Sequence, residues 1–439
     1  MAKELEITPR SFEYGLEALR GFAALIVVIS HIINYGKFID PGYFPVELTS
    51  IYNGGHLMVL IFLVLSGFVI SVSTQQIRNW YDIKIYLYKR FIRIYPIYVL
   101  CVFLTLLVAS TSYSFFAVAS NLAFVNVLFS NVLLDNGPIW SLHYEVLFYI
   151  VFILIAYYKL NPIKIGLLAA GVGLANFFLV AYSHVSSLTS YCFGFTFWIA
   201  GVAIANYFKT KEARTIEYRK LVSYLFLLLT LPYFNGLTLI AEKLSFRYYG
   251  GYIEFSFDGN MNHWFKNAFA FLDLTHLIYC CVGVLVFTNS RFKYKHAVLF
   301  IIRVLPLYSI WNTKHYYPET LPSLVVPLCC YILSWLLLIK FELLERVSMY
   351  CIRFLIWTGG ISYALYVLHI PILLAFNKTT LMSGTLATYI FRVLLYLLSV
   401  FVIAYIIEKK FQPWIRNIVW RNGVSPDTTS EKQATLLKS

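Results

Sequence analysis

Runs of about twenty residues with almost no charge recur along the whole of this 439-residue chain. A helix rises about 1.5 Å per residue, so each run is long enough to cross a hydrocarbon core about 30 Å thick. With 60% of its residues hydrophobic and only 13% charged, a water-soluble fold would have no way to bury the apolar surface. The pattern therefore predicts an all-α, polytopic integral membrane helical bundle. Spanning segments are expected near 16–34, 56–74, 94–111, 140–158, 163–182, 191–207, 220–239, 267–288, 297–313, 319–339, 354–375 and 386–408. That is about twelve helices, with ten as the lower count.

The net charge of +14 would suit a nucleic-acid partner if it formed one patch, but the basic residues lie in short stretches between apolar runs. Arg78, Lys84, Lys89, Arg90 and Arg93 follow the second run, and Lys209, Lys211, Arg214, Arg219 and Lys220 follow the sixth. Cytoplasmic loops carry this kind of charge, so both termini are expected in the cytoplasm and nucleic acid is excluded as a partner. The parity requires that residues 112–135 do not cross. Ser and Asn interrupt that stretch at helical spacing, which suits an amphipathic segment along the outer interface.

The amino-terminal residues lack the pattern of a cleaved signal peptide, so the first apolar run is expected to stay as a helix. A transmembrane domain over residues 1–410 and a partly disordered cytoplasmic tail over 411–439 complete the expected organisation. The seven cysteines fall almost entirely inside apolar runs without ligand spacing and read as small apolar residues, with no metal site expected. The longest outer connection, 240–266, carries Phe246, Tyr248, Tyr249, Tyr252, Phe255, His263 and Trp264. These residues suit either a sugar-binding lid or an aromatic interfacial belt.

Ionisable groups inside a membrane are costly, so they mark candidate sites. The first run reads EALRGFAALIVVISH, which puts Arg20 and His31 eleven residues apart on one helical face, about 16 Å apart along the axis. Glu17, three residues before Arg20, is placed to fix its guanidinium. Snorkelling of Arg20 and a structural role for His31 are the alternatives. Arg90 and Arg93 in YLYKRFIRIYPIY are i, i+3 neighbours that suit phosphates, or are simply positive-inside charge.

A Gly-Pro break precedes Trp140, Ser141, His143, Glu145 and Tyr149, of which Ser141, Glu145 and Tyr149 stack at i, i+4 and i+8. Glu145 is expected to meet His31 at one depth near the outer face, where a carboxylate would raise the basicity of the imidazole. Ser66 in FLVLSGF reads as close packing more than as a nucleophile. Ser362, Tyr366 and His369 recur at helical spacing, with His369 a second polar wall of the cavity or a packed histidine. His56 and His143 are each either substrate contacts or interfacial histidines.

Taken together, the Glu-Ala-Leu-Arg-Gly opening with His31, the Ser-Gly-Phe at 66–68, the Arg90/Arg93 pair before Ile94 and Pro96, and Trp140-Ser141-Leu142 with Glu145 and Tyr149 resemble the integral membrane acyltransferase type 3 family. The resemblance runs from about residue 12 to 410 and includes the Ser362-Tyr363 to His369 stretch. It implies a carbohydrate O-acyltransferase in the stand-alone form, without a C-terminal hydrolase-like domain. The implied donor is cytoplasmic acyl-CoA, expected to be acetyl-CoA, and the implied acceptor is a hydroxyl of a carbohydrate or glycolipid at the outer face, as in lipopolysaccharide O-antigen decoration.

By the same resemblance His31 is the catalytic base or a transient acyl carrier, Arg20 with Arg90 and Arg93 holds acyl-CoA, and Glu145 supports the site. A bacterial inner membrane is the expected location. Glu17 stands where the family often has Asp, and His143 replaces the usual small residue, which puts acceptor choice in question. The rival reading is a transporter or flippase of a polar glycan, whose inverted repeats are not visible.

Overall fold

In the computed structural model the described residues are 11–45, 54–74, 76–179, 186–207, 217–249, 261–290 and 292–422, and they are helical almost throughout. Each of the twelve apolar runs contains helix. We number the main helices α1 (Ser11–Asn34), α2 (Gly55–Ser73), α3 (Trp80–Val108), α4 (Trp140–Tyr157), α5 (Pro162–Leu179), α6 (Ser187–Tyr207), α7 (Tyr218–Thr230), α8 (Gly236–Tyr249), α9 (Leu277–Phe287), α10 (Lys295–Tyr316), α11 (Val325–Leu336), α12 (Glu342–Gly359), α13 (Ser362–Asn377) and α14 (Leu386–Ile406).

Eight helical stretches among the described residues are long and apolar enough to cross a membrane, or nine with one bent pair. The remaining expected segments fall short for identifiable reasons. The 13 residues of α7 span only about 20 Å, α9 is eleven residues preceded by a 3₁₀ turn, and α10 carries the buried Arg303. The bent pair is α12 with α13, where one straight segment was expected. Gly359 and Gly360 break it, and the two halves meet at 75°.

Lipid tails are as apolar as the helices, so helices gather in a membrane by close backbone approach. A Cβ on Gly21 would lie 2.0 Å from the Leu355 carbonyl oxygen, and one on Gly359 would lie 2.0 Å from that of Glu17, so α1 and α12 touch backbone to backbone. The α2–α6 pair repeats the device, with Gly67 against the Trp198 carbonyl and Gly201 against that of Val64. The resulting core is centred on α1, α2, α4 and α13, while α5 and α14 turn residues such as Leu167, Leu168, Leu394 and Leu398 outward.

Residues 112–135 contain no helix long enough to cross a bilayer. They form two short helices, Phe115–Leu122 and Asn126–Phe129, that lead into a 3₁₀ turn. The apolar side faces out, through Phe115, Phe116 and Phe129, and the polar side is buried. Asn126 donates to Asn121 at 2.8 Å, and Asn121 donates to the Ala117 and Asn131 carbonyls.

The 240–266 connection is partly the helix α8, and of its aromatic residues Trp264 packs on Trp140. Tyr252 and Phe255 lie outside the described residues, as do the side chains of Tyr248, Tyr249 and His263. The basic residues 209, 211 and 214 and the tail beyond 422 also fall outside them.

The turns that follow α1 and α13 are clasped together. Buried Arg392 donates to four backbone carbonyls, those of Ile39, Leu381, Phe376 and Thr379. Buried Asp40 accepts from the Gly42, Tyr43 and Gly384 amides and from the Ser383 and Thr388 hydroxyls. Burial pushes the Asp40 carboxyl up, but these hydrogen bonds outweigh it and hold it below the usual carboxylate range. A depressed folded-state value stabilises the fold above the unfolded value, and that stabilisation is lost as pH falls through the folded one. Asp40→Asn is therefore expected to lower the melting temperature in detergent at neutral pH, with the difference from wild type closing below about pH 4.

Candidate functional site

Five helices enclose one cavity of about 610 Å³. α1 contributes Glu17 and Arg20; α2, Phe62, Ser66 and Ser73; α3, Lys89, Arg90 and Arg93; α4, Ser141, Glu145 and Tyr149; α13, Ser362, Tyr363 and Tyr366. The sequence spacing explains the shared faces: 62, 66 and 73 recur along one side of α2, and 141, 145 and 149 along one side of α4.

One mouth is basic. α3 begins with a capping box in which Asn79 accepts from the Asp82 amide at 3.0 Å and Asp82 accepts in return. Its 29 residues extend about 44 Å, more than a bilayer core requires, so the arginines sit where the helix leaves the lipid. Arg90 donates to Ser73 at 2.7 Å, its guanidinium lies 5.6 Å from the Tyr86 ring, and its buried Nε has no partner among the described residues. Arg20 donates to Glu17 at 2.7 Å, the pairing expected from their spacing.

Glu408 joins this mouth. It accepts from the Ala364 amide in the first turn of α13 at 3.1 Å and senses the charges of Arg93 and Arg20. A π-helical stretch, Ile407–Phe411, turns it inward. Sequence reasoning missed it because Glu408-Lys409-Lys410 reads as a solvated charge run.

Midway along the cavity, Glu145 accepts from the Ser66 hydroxyl at 2.7 Å and from Tyr149, and the Trp198 indole N–H donates to Ser66 at 3.3 Å. The Ser66 proton is thus committed to a carboxylate, with no histidine bonded to it among the described residues, which fits a positioning role and not that of a nucleophile. The expected meeting of Glu145 with His31 does not occur. Gly55 on α2 abuts Ser30, while Ser66, eleven residues later, meets Glu145. That places Glu145 about 16 Å of helix rise from Ser30, at the depth of Arg20. A 3₁₀ turn, Leu134–Ile139, precedes α4 and adds helical rise before it that residue counting from the apolar run does not show.

His31 stands beside His369 instead, with ring centroids 4.8 Å apart, and stacks on Tyr35 at 5.7 Å. Its Nδ1 meets the Val27 carbonyl at 2.8 Å and His369 Nδ1 meets that of Tyr366 at 2.6 Å, so each ring donates from Nδ1 and keeps Nε2 as a lone pair. His369 Nε2 is buried with no partner among the described residues. Tyr366 links this pair to the cavity. Its ring lies 5.7 Å from Phe62 and its hydroxyl meets Ser141 at 2.7 Å and the Pro138 carbonyl at 2.8 Å. Asn136 pins this turn by donating to Cys101, Thr105 and the Val367 carbonyl.

His31 and His369 lie outside the cavity wall, so His369 is not the second polar wall expected of it, and Trp140, His143 and His56 lie outside it too. Trp140 is buried against Tyr144, Trp264 and Phe269 and shapes the turn that presents Ser141. His143 is not a substrate contact: it is 2% exposed, its Nδ1 meets the Phe124 carbonyl at 2.5 Å and its Nε2 meets the Tyr191 hydroxyl at 2.7 Å. His56 pairs with Asp273 at 3.0 Å.

Residues 13–409 match the acyltransferase domain that defines the acyltransferase type 3 family, so the chain belongs to that family. It is a multi-pass membrane acyltransferase. No curated protein and no solved structure matches it. Because both ring nitrogens of His143 are spent inside the fold, His143→Phe is expected to cost about 1–3 kcal/mol of stability by orphaning its two partners. The apparent donor KM should stay within about twofold of wild type; thermal melts and steady-state kinetics on the same preparation check both.

Proposed function

We propose that this acyltransferase takes an acyl group, acetyl, from acyl-CoA on the cytoplasmic side and places it on a hydroxyl of a carbohydrate or glycolipid at the periplasmic face of a bacterial inner membrane. The observation that carries this reading is a cavity with arginines at one mouth and a polar wall of Ser66, Glu145 and Tyr149, whose lining residue Tyr366 packs on His369, the ring beside His31. The charge of the loops supports a cytoplasmic basic mouth, with both termini on that side.

In this reading the phosphates of coenzyme A bind Arg90 and Arg93, whose planar forks suit them, and the orphan Nε of Arg90 is a further donor. The arm of the donor passes Arg20 and the bed formed by Ser66, Glu145 and Tyr149. Glu145 therefore serves the donor side, by fixing two hydroxyls, and does not tune His31. At the far end His31 Nε2 takes the proton of the acceptor hydroxyl as its oxygen attacks the thioester carbonyl. The C–S bond breaks, the thiolate of coenzyme A leaves, and the imidazolium returns the proton to it. Bringing the two substrates to one point in a dry cavity supplies much of the rate. No metal enters the scheme.

Two outcomes test the assignment. His31→Ala should abolish transfer in purified protein while folding and acyl-CoA binding persist; retained activity removes His31 from the chemistry. Arg90→Ala combined with Arg93→Ala should weaken acyl-CoA binding by about tenfold or more, each charged hydrogen bond being worth about 1.5–3 kcal/mol. Unchanged affinity, measured by calorimetry, would reduce the pair to topology signals. Mass spectrometry of surface glycans with and without the protein identifies the acyl group and acceptor together.

A further inference from the structure

Tyr366 lines the cavity and its ring lies 6.1 Å from that of His369, and the scheme above leaves its hydroxyl without a role. That hydroxyl meets Ser141 Oγ, itself on the cavity wall, at 2.7 Å and the Pro138 carbonyl at 2.8 Å. Its backbone carbonyl fixes His369 Nδ1, and the His369 ring lies 4.8 Å from that of His31. Tyr366 itself is 7% exposed and Ser141 8%, so both hydroxyls act in a site from which water is largely excluded. Tyr366 thus stands one helical turn from His369, the ring that neighbours the proposed base His31.

We infer that the Tyr366 hydroxyl, steered by Ser141, is a catalytic group that donates a hydrogen bond to the carbonyl oxygen of the acyl thioester. The inference rests on the acyl-transfer reading and names the electrophilic partner of His31. As the acceptor oxygen bonds to the carbonyl carbon, the carbonyl π electrons move onto oxygen. The Tyr366 proton, held at rest by the Pro138 carbonyl or Ser141, turns to that oxygen and stabilises the charge without leaving the phenol. When the carbonyl re-forms, the C–S bond breaks and the thiolate takes the proton held by His31. Ser141 accepts or donates in turn, so no buried hydroxyl is left unpaired while Tyr366 is engaged. Donors of this kind are worth about 10²–10³ in kcat, because they are already oriented before charge develops.

The experiment compares wild type with Tyr366→Phe and with 3-fluorotyrosine at position 366, using carbonyl-labelled acetyl-CoA and a glycan acceptor. In Tyr366→Phe, kcat is expected to fall about 10²-fold while the KM for acetyl-CoA changes by less than about threefold. The infrared carbonyl band of the bound thioester, recorded without acceptor, should lie below its solution frequency in wild type, lower still with the more acidic fluorotyrosine, and return to the solution value in Tyr366→Phe. The fluorotyrosine protein keeps the shape of the site, so the assignment is decided even if the phenylalanine variant fails to fold. An unchanged kcat in Tyr366→Phe, or a carbonyl band that none of the substitutions moves, overturns it. A wild-type protein that shifts the carbonyl band through Tyr366 yet transfers acyl to no acceptor would retain this contact and reject the transfer reading.

Discussion

Everything in the site depends on how closely α1 approaches α12. Gly21 and Gly359 each sit where a single added carbon would collide with the partner's backbone, so the two helices meet without side chains between them. That contact fixes both the depth and the rotation of α1, and α1 carries Arg20 into the cavity wall and His31 against His369. Hydrophobic patterning alone cannot set such a rotation in lipid, where every apolar face is equally welcome. The α2–α6 contact through Gly67 and Gly201 then sets Ser66, and with it Glu145.

The buried charges divide by how they are satisfied. Arg392 spends its donors on four carbonyls, and Arg219 is held by the Leu338 carbonyl and by Glu217. These arginines hold turns and helix ends together. Arg90, by contrast, keeps Nε free of any partner among the described residues, and Glu17 keeps one oxygen so. A group buried in a membrane without its full set of bonds is costly, and these two both line the cavity.

The bundle and several site residues were legible in the sequence because their signals are local. Apolar runs have the length of a bilayer, the Glu17–Arg20 pair is one helical turn apart, and Arg20 and His31 fall on one face by simple periodicity. What crosses between helices was not legible. The depth of α4 depends on a 3₁₀ turn and on Asn136 held by two other helices, so Glu145 was assigned to the wrong end of the cavity. The His31–His369 pair joins residues 338 positions apart, and Glu408 reaches the site only through a π-helical twist of the last long helix. His143 read as an interfacial or substrate-facing ring because nothing in its neighbourhood announces Tyr191.

The segment between α3 and α4 wears its phenylalanines outside and its asparagines inside. Tyr98 of α3 closes it, through a hydroxyl bond to the Asn121 carbonyl at 2.9 Å and a ring stacked on Phe124 at 4.2 Å. The asparagine side chains find their partners within the segment itself, and α3 supplies its cover. The segment is thus a cap with its own internal fastening, greasy outside and polar inside, buttoned to the preceding helix by one tyrosine.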